Sequence, residues 1–249
     1  ANYTSRSSDG GALYERYKKS FAPSDSSPEF IPANSSNRIY RCLRKEVLGV
    51  YHQLLLALCI YMESKEILNF FFELGQLSRV KREGWRLLGI EQPESIADHS
   101  LRAAQIGWLL AKLEKHPDPH EVAAMLIFHD MGETRVGDIH KLANRYITVD
   151  EASAVKEQVS RLGEAAEEIL HLWNQIEDRS SPAGIIAKDA DLLELAVRAR
   201  EYVEQGHKDA QEWFEAARQR VQTQSAKRLI AELSSVSPTA WWHGLKKID

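Results

Sequence analysis

From residue 37 onward the apolar positions recur at three- and four-residue steps. Ile39, Leu43, Val47, Val50, Leu54 and Leu58 form one such stripe, the mark of a helix with a single buried face. A second helix is predicted over Ser64–Lys81. Gly84, Gly89 and Pro93 then punctuate a loop. Ser95, with Asp98 three residues on, is a loose capping box and opens a helix expected to reach about Glu114, short of Pro117. Further helices are predicted from about His120 to Met131, and over Glu151–Arg161, Gly163–Ile176, Pro182–Gln205 and Lys208–Leu233. Pro182 suits a first helical turn and Gly206 a terminator. Glu133 to Val149 is a polar loop with room for one short turn. No run alternates apolar and polar residues, so no sheet is expected and the fold class is all-α, a helical bundle.

The first 38 residues lack this period. They are rich in Ser, Asn, Pro and Gly, with a short helix predicted only around Ala12–Ser20, and read as a mobile arm or interaction tail. The resulting plan is an N-terminal helical extension over residues 1–65, a helical domain over 66–236 and a C-terminal tail over 237–249. A net charge of −4 over 249 residues argues against general nucleic-acid binding, while leaving room for a local basic pocket that takes one phosphate. Cys42 and Cys59 fit no zinc motif and read as reduced, packed thiols of a cytoplasmic protein. The apolar stretch Val47 to Met62 is interrupted by His52 and Gln53 and falls short of the roughly 20 residues a membrane span needs, so no membrane association is expected. The chain starts at Ala1 without a methionine, which leaves a processed organellar leader open.

The strongest chemical signal is Phe128-His129-Asp130-Met131-Gly132-Glu133, at the end of an apolar helix. Ionisable groups gathered at such a place are costly unless paired or bound to metal. Imidazole nitrogens and carboxylate oxygens are both good ligands for a divalent cation. His99 lies near the start of an earlier helix, and Asp189 and Asp191 interrupt the apolar helix that contains Ile185. Together they offer two histidines and two carboxylates. Helical period does not choose between Asp189 and Asp191, which point to nearly opposite sides.

The order His99, then His129-Asp130, then a late aspartate resembles the HD metal-dependent phosphohydrolase superfamily. The segments Leu77 to Trp85, Pro93 to Ser100, His129 to Glu133, Val136 to Ile139 and Lys188 to Asp191 resemble its 5′-deoxynucleotidase branch. The likeness runs from about Phe70 to Leu233. It implies an HD-domain bundle that holds one divalent ion (Mn, Co, Fe, Zn or Mg) on His99, His129, Asp130 and Asp191. The family places its ligand three residues after the lysine matching Lys188, which selects Asp191 and leaves Asp189 a solvated or lysine-paired acid. Glu133 matches the family's catalytic acid or base, and Asp138 an acid required beside it. The implied substrate is a small phosphate ester, a nucleoside 5′-monophosphate, and the implied assembly a homodimer. Lys141 and Arg145 follow the acidic motif and are candidates to meet phosphate charge. Trp85 matches an aromatic near the sugar pocket, although a tryptophan there also suits a core or lid. The bacterial member carries an arginine immediately before this tryptophan and uses the pair to exclude ribose. Here Gly84 stands in that place, with Arg82 the candidate substitute, so deoxyribose selection stays open.

Two other classes compete. HD phosphodiesterases and di-iron HD oxygenases need extra histidine ligands, and only one His-Asp doublet is present. A non-catalytic binding protein would fit the unmatched N-terminal region and the Trp241-Trp242 pair, expected to pack on the core or a second subunit. His116 and His120 are separated by Pro117 and Pro119 and read as loop residues, whereas His140 is close to the motif.

Overall fold

The structure is a computed structural model that describes residues 64–245. The helix expected from residue 37, both cysteines and most of the N-terminal extension lie outside the described residues. Helix α1 covers residues 64–74 and gives way to a 3-10 turn at Gly75–Ser78, so the helix predicted to Lys81 is shorter than expected. A second 3-10 helix spans Glu83–Leu88. Then come α2 (Ile96–Leu113), α3 (Pro119–Phe128), the single turn α4 (Glu133–Val136), α5 (Glu151–Val159), α6 (Glu164–Asp178), α7 (Pro182–Glu204), α8 (Gln211–Arg220) and α9 (Gln224–Leu233). Among the described residues there is no strand. One isolated antiparallel bridge pairs Lys81 with Ser95. None of the described helices is long and apolar enough to cross a membrane.

Helix α7 is the axis of the main core. Its Ala187, Ala190, Ala196 and Ala199 are completely buried, and such small side chains let α2, α3 and α8 approach closely. Leu110, Met125, Leu126, Ile176 and Leu192 fill the space between them, each contributing roughly 1.5–3 kcal/mol by leaving water. Gly107 is where α2 and α3 touch. A Cβ there would lie 2.2 Å from Leu126 Cδ1 and 3.3 Å from Val122 Cγ1, so a larger residue would push apart the two helices that bear the histidines. A smaller cluster, Phe70, Met131, Val155, Val159, Ile169 and Trp173, packs beneath the His129–Glu133 turn.

Two expectations need correction. The segment Lys208–Leu233 is a 3-10 turn followed by two helices, broken at Val221–Thr223. Asp189 causes the break. Far from being solvated or lysine-paired, it is fully buried. Its carboxylate accepts hydrogen bonds from the backbone N–H of Gln222 (2.9 and 3.0 Å) and of Thr223 (2.6 Å). Those N–H groups are thereby taken out of a continuous helix, and the Thr223 hydroxyl caps α9 by accepting from Ala226. Of the terminal tryptophans, Trp241 is 75% exposed and so does not pack on the core of this chain, and the ring of Trp242 meets that of His243 edge-on.

Candidate active site

The beginning of α2 places His99. Ser95 and Asp98 form a full capping box: the Ser95 hydroxyl accepts from the Asp98 N–H, and the Asp98 carboxylate accepts from the Ser95 N–H. The same start is tied to the preceding loop. Ile96 N–H donates to the Val80 carbonyl, and Arg82 N–H to the Glu94 carbonyl. Arg82 is therefore delivered to the end of the bundle where His99 lies.

Helix α3 stops at Phe128 rather than Met131, and His129 is its C-cap. The indole of Trp173 donates to the His129 carbonyl (2.9 Å). Gln158 donates to the Met131 carbonyl and the Thr134 hydroxyl. These two side chains clamp the turn that carries Asp130 and Glu133. Asp191 comes from the middle of α7, with Lys188 one turn before it and Glu194 one turn after, on the same face.

Four ligand-type side chains converge. His99 Nε2 lies 3.3 Å from Asp191 Oδ1 and 3.6 Å from Asp130 Oδ2. His129 Nε2 lies 3.1 Å from Asp130 Oδ2 and 4.0 Å from Asp191 Oδ1. Both Nε2 atoms and Asp130 Oδ2 are buried and without hydrogen-bond partners. Polar atoms left so are costly, and a shared cation would satisfy all of them. The opposite ring nitrogens are engaged. His99 Nδ1 meets Glu194 Oε2 at 2.5 Å, and His129 Nδ1 donates to the Leu126 carbonyl at 2.8 Å. Such contacts fix a ring so that Nε2 faces the ion as a lone pair. The donor set fits a divalent metal.

Glu194 is a residue that sequence reasoning missed. Arg102 grips it from the far side through Nε (2.8 Å) and Nη2, and Arg102 also reaches Glu201 (2.9 Å). Glu94 pairs with Arg198 and accepts from the Trp85 indole at 3.2 Å. A buried charge network thus stands behind His99. No local spacing announces it, since Glu194 is 95 positions from its histidine.

Electrostatics follow the same division. Burial works to raise Asp191, but Lys188, His99 and His129 outweigh it and hold the carboxyl well below the ordinary range. Asp130 is likewise lowered, with His129, His99 and Arg82 overcoming burial. Burial and Arg82 oppose a proton on His99, yet Glu194 and Asp191 prevail and raise it to about 9. Glu133 behaves oppositely. Burial, reinforced by Asp130 and Asp138, pushes it up to about 10, and its Oε2 is buried without a partner. Asp138 Oδ2 is held by the Glu83 N–H at 2.6 Å.

A cleft of about 240 Å³ opens on this centre, with Asp130, Asp138 and Asp191 on its acidic wall. Arg82, Lys141, Lys188 and Arg220 supply positive charge around it. Arg82 Nη1 is 3.6 Å from Asp130 Oδ2, and Lys188 Nζ is 3.2 Å from Asp191 Oδ2. Of the basic candidates, Lys141 lines the cleft, whereas Arg145 is exposed on a 3-10 turn and does not. Lys188 entered the sequence reading only as the marker of Asp191, and Arg220 not at all. Trp85 lines the cleft while almost wholly buried, its ring against Tyr202 and Trp213. His140 also lines it, with Nδ1 accepting from the Ala143 N–H. His120 belongs to no ligand cluster among the described residues; read as a loop residue, it lies instead in the first turn of α3, where Asp118 caps its N–H, with its ring 6.4 Å from that of Trp108.

An all-helical bundle in which two buried histidines meet two part-buried aspartates beside a cleft edged with cations defines the class, a metal-dependent HD-type domain. The chain belongs to the HD domain family, whose pattern matches residues 74–234. It is 33% identical to the 5′-deoxynucleotidase HDDC2 of Dictyostelium discoideum, over 68% of this chain and 96% of that protein. It is 28% identical to the human 5′-deoxynucleotidase HDDC2, over 71% of this chain and 88% of that protein. Among solved structures, a conserved hypothetical protein from Pyrococcus furiosus is 29% identical with a TM-score of 0.57, over 68% of this chain and 99% of that one.

Proposed function

We propose that this chain is a divalent-metal-dependent phosphohydrolase that cleaves nucleoside 5′-monophosphates, deoxy forms included, to nucleoside and phosphate. The observation that carries this reading is the meeting of two unpartnered imidazole nitrogens with Asp130 and Asp191 beside a cleft edged with cations. His99, His129, Asp130 and Asp191 hold one ion. When bound it polarises the phosphoryl group and lowers the pKa of the attacking water. Imidazoles in the set favour a transition ion such as Fe or Zn over Mg.

The chain's own residues do the rest. Arg82 and Lys188 face the same end of the cleft as the ligands and neutralise phosphate oxygens. Glu133 carries a proton at neutral pH and donates it to the departing 5′ oxygen as the phosphorus–oxygen bond breaks. Asp138, pinned by the Glu83 N–H, keeps that proton in place by like-charge repulsion. Arg145 does not line the cleft and is given no part in this work.

A phosphate-release screen of the purified protein tests the reading, with ribo- and deoxyribonucleoside mono-, di- and triphosphates and each metal in turn. Monophosphates are expected to be the preferred substrates, since the cleft is small. Absence of phosphate release from every nucleotide with every metal would refute it. The phosphodiesterase and di-iron readings gain no support: within the described residues, no third histidine joins His99 and His129 in a ligand cluster.

A homodimer is part of the proposal. Leu101, Gln105, Trp108 and Leu109 share one face of α2, and Leu101, Leu109 and Ile127 are more than half exposed among the described residues. Exposed apolar side chains gathered in this way favour an interface. Analytical ultracentrifugation is expected to give twice the chain mass, and Leu109→Glu to shift it to the monomer. A wild-type monomer at every concentration would remove this part of the proposal.

A further inference from the structure

The catalytic cleft has an annex that the phosphate chemistry does not use. A second cavity of about 280 Å³ is lined by Leu87, Lys141, Leu142, Glu212, Trp213 and Ala216. Three of these, Leu87, Lys141 and Trp213, also line the catalytic cleft, so the two spaces are neighbours that share a wall. Their chemistry differs. Asp130, Asp191, Arg82 and Lys188 lie at the cleft end, and leucines and an indole dominate the other.

The two tryptophans of this region are not equivalent. Trp85 is 1% exposed, and its N–H is spent on Glu94. Trp213, from α8, is half-buried and leans on Trp85 at 5.6 Å between ring centroids. Among the described residues its N–H has no acceptor. That N–H faces Gly84, where a Cβ would sit 3.5 Å from Trp213 Nε1. The absence of a side chain at Gly84 leaves the indole edge open to the cleft. A half-exposed indole with a free donor, at the apolar end of a charged cleft, suits a planar heteroaromatic ring with acceptor atoms on its rim.

We propose that the annex is the base subsite, with Trp213 as the residue that selects a nucleobase-bearing phosphate ester over a bare sugar phosphate. The base lies against the Trp213 indole and the leucine wall while its phosphate reaches the centre at Asp130 and Asp191. This rests on the hydrolase reading given above and names the part of the substrate that reading leaves open.

The test compares a deoxynucleoside 5′-monophosphate with deoxyribose 5-phosphate, which keeps the sugar and phosphate and lacks the base. Wild-type protein is expected to prefer the nucleotide in kcat/KM, and Trp213→Ala to lower that preference about tenfold, mainly through KM, equivalent to about 1.4 kcal/mol. Trp213→Phe, which keeps a stacking face, is expected to retain most of it, and this rescue separates a lost contact from a damaged fold. Equilibrium dialysis of both phosphates against metal-free protein should show the same contrast without turnover. An unchanged preference in Trp213→Ala, or none in the wild type, overturns the inference while the hydrolase reading stands. Failure of the wild type to hydrolyse either compound overturns both.

Discussion

His129→Ala is expected to lose the bound metal and to lower hydrolysis by at least about a thousandfold. Lewis-acid stabilisation by a catalytic ion amounts to several kcal/mol, and each 1.36 kcal/mol is a factor of ten in rate. His129 supplies one of the two imidazole nitrogens in the cluster, with its Nε2 3.1 Å from Asp130 and 4.0 Å from Asp191. Without it, two part-buried carboxylates face an ion with one neutral ligand fewer. The variant also frees the Leu126 carbonyl that the ring holds at 2.8 Å, so some structural cost of about 1 kcal/mol accompanies the loss. Melting curves separate the two effects. In chelator, variant and wild type should melt close together. On adding metal only the wild type should rise, because an ion that binds the native state alone stabilises it by mass action. Retention of stoichiometric metal and normal turnover by His129→Ala would place the centre elsewhere.

How much of this was legible in the sequence depends on whether the signal is local. The apolar period located α2, α3, α5, α6 and α7 to within a few residues, because each buries one face or all of itself. The capping pair Ser95 and Asp98 was readable for the same reason, since it is a contact three residues long. The proposed ligands His99, His129, Asp130 and Asp191 came from a resemblance. Period alone left Asp189 and Asp191 equivalent; the resemblance selected Asp191, and the fold gives the physical reason: Asp191 turns to the histidines while Asp189 turns to the backbone of Gln222 and Thr223. That tertiary contact also explains why one predicted helix over Lys208–Leu233 is two. Neither Gly nor Pro marks the break, so nothing short-range could have shown it. The overshoot of α3 has a similar origin, with Trp173 taking the carbonyl of His129. Glu194, Arg102 and Trp213 carry no motif. Their roles exist only because α2, α7 and α8 pack side by side, and a single sequence contains no trace of which charged or aromatic residue will face which.

Glu133→Gln is expected to keep the metal and the fold and to lose roughly 10²–10⁴-fold in kcat, the usual range for a positioned proton donor. The glutamine preserves the shape of the side chain on α4 but cannot release a proton. The pH dependence gives the sharper signature. Burial, Asp130 and Asp138 raise Glu133 to about 10, so it is protonated through the neutral range. A bound cation, being of opposite charge, draws that value down without removing its cause. Because the protonated form does the work, activity should be full below the pKa of Glu133 in the complex and fall as pH rises through it. In Glu133→Gln that alkaline limb should vanish, leaving a low rate flat on that side. Stability should not suffer, since the exchange removes a buried carboxyl crowded by two carboxylates and replaces it with a neutral amide. Two results would show that Glu133 is not the acid. One is a variant of normal rate. The other is a slow variant that keeps the wild-type alkaline limb, which would assign that proton to another group facing the cleft.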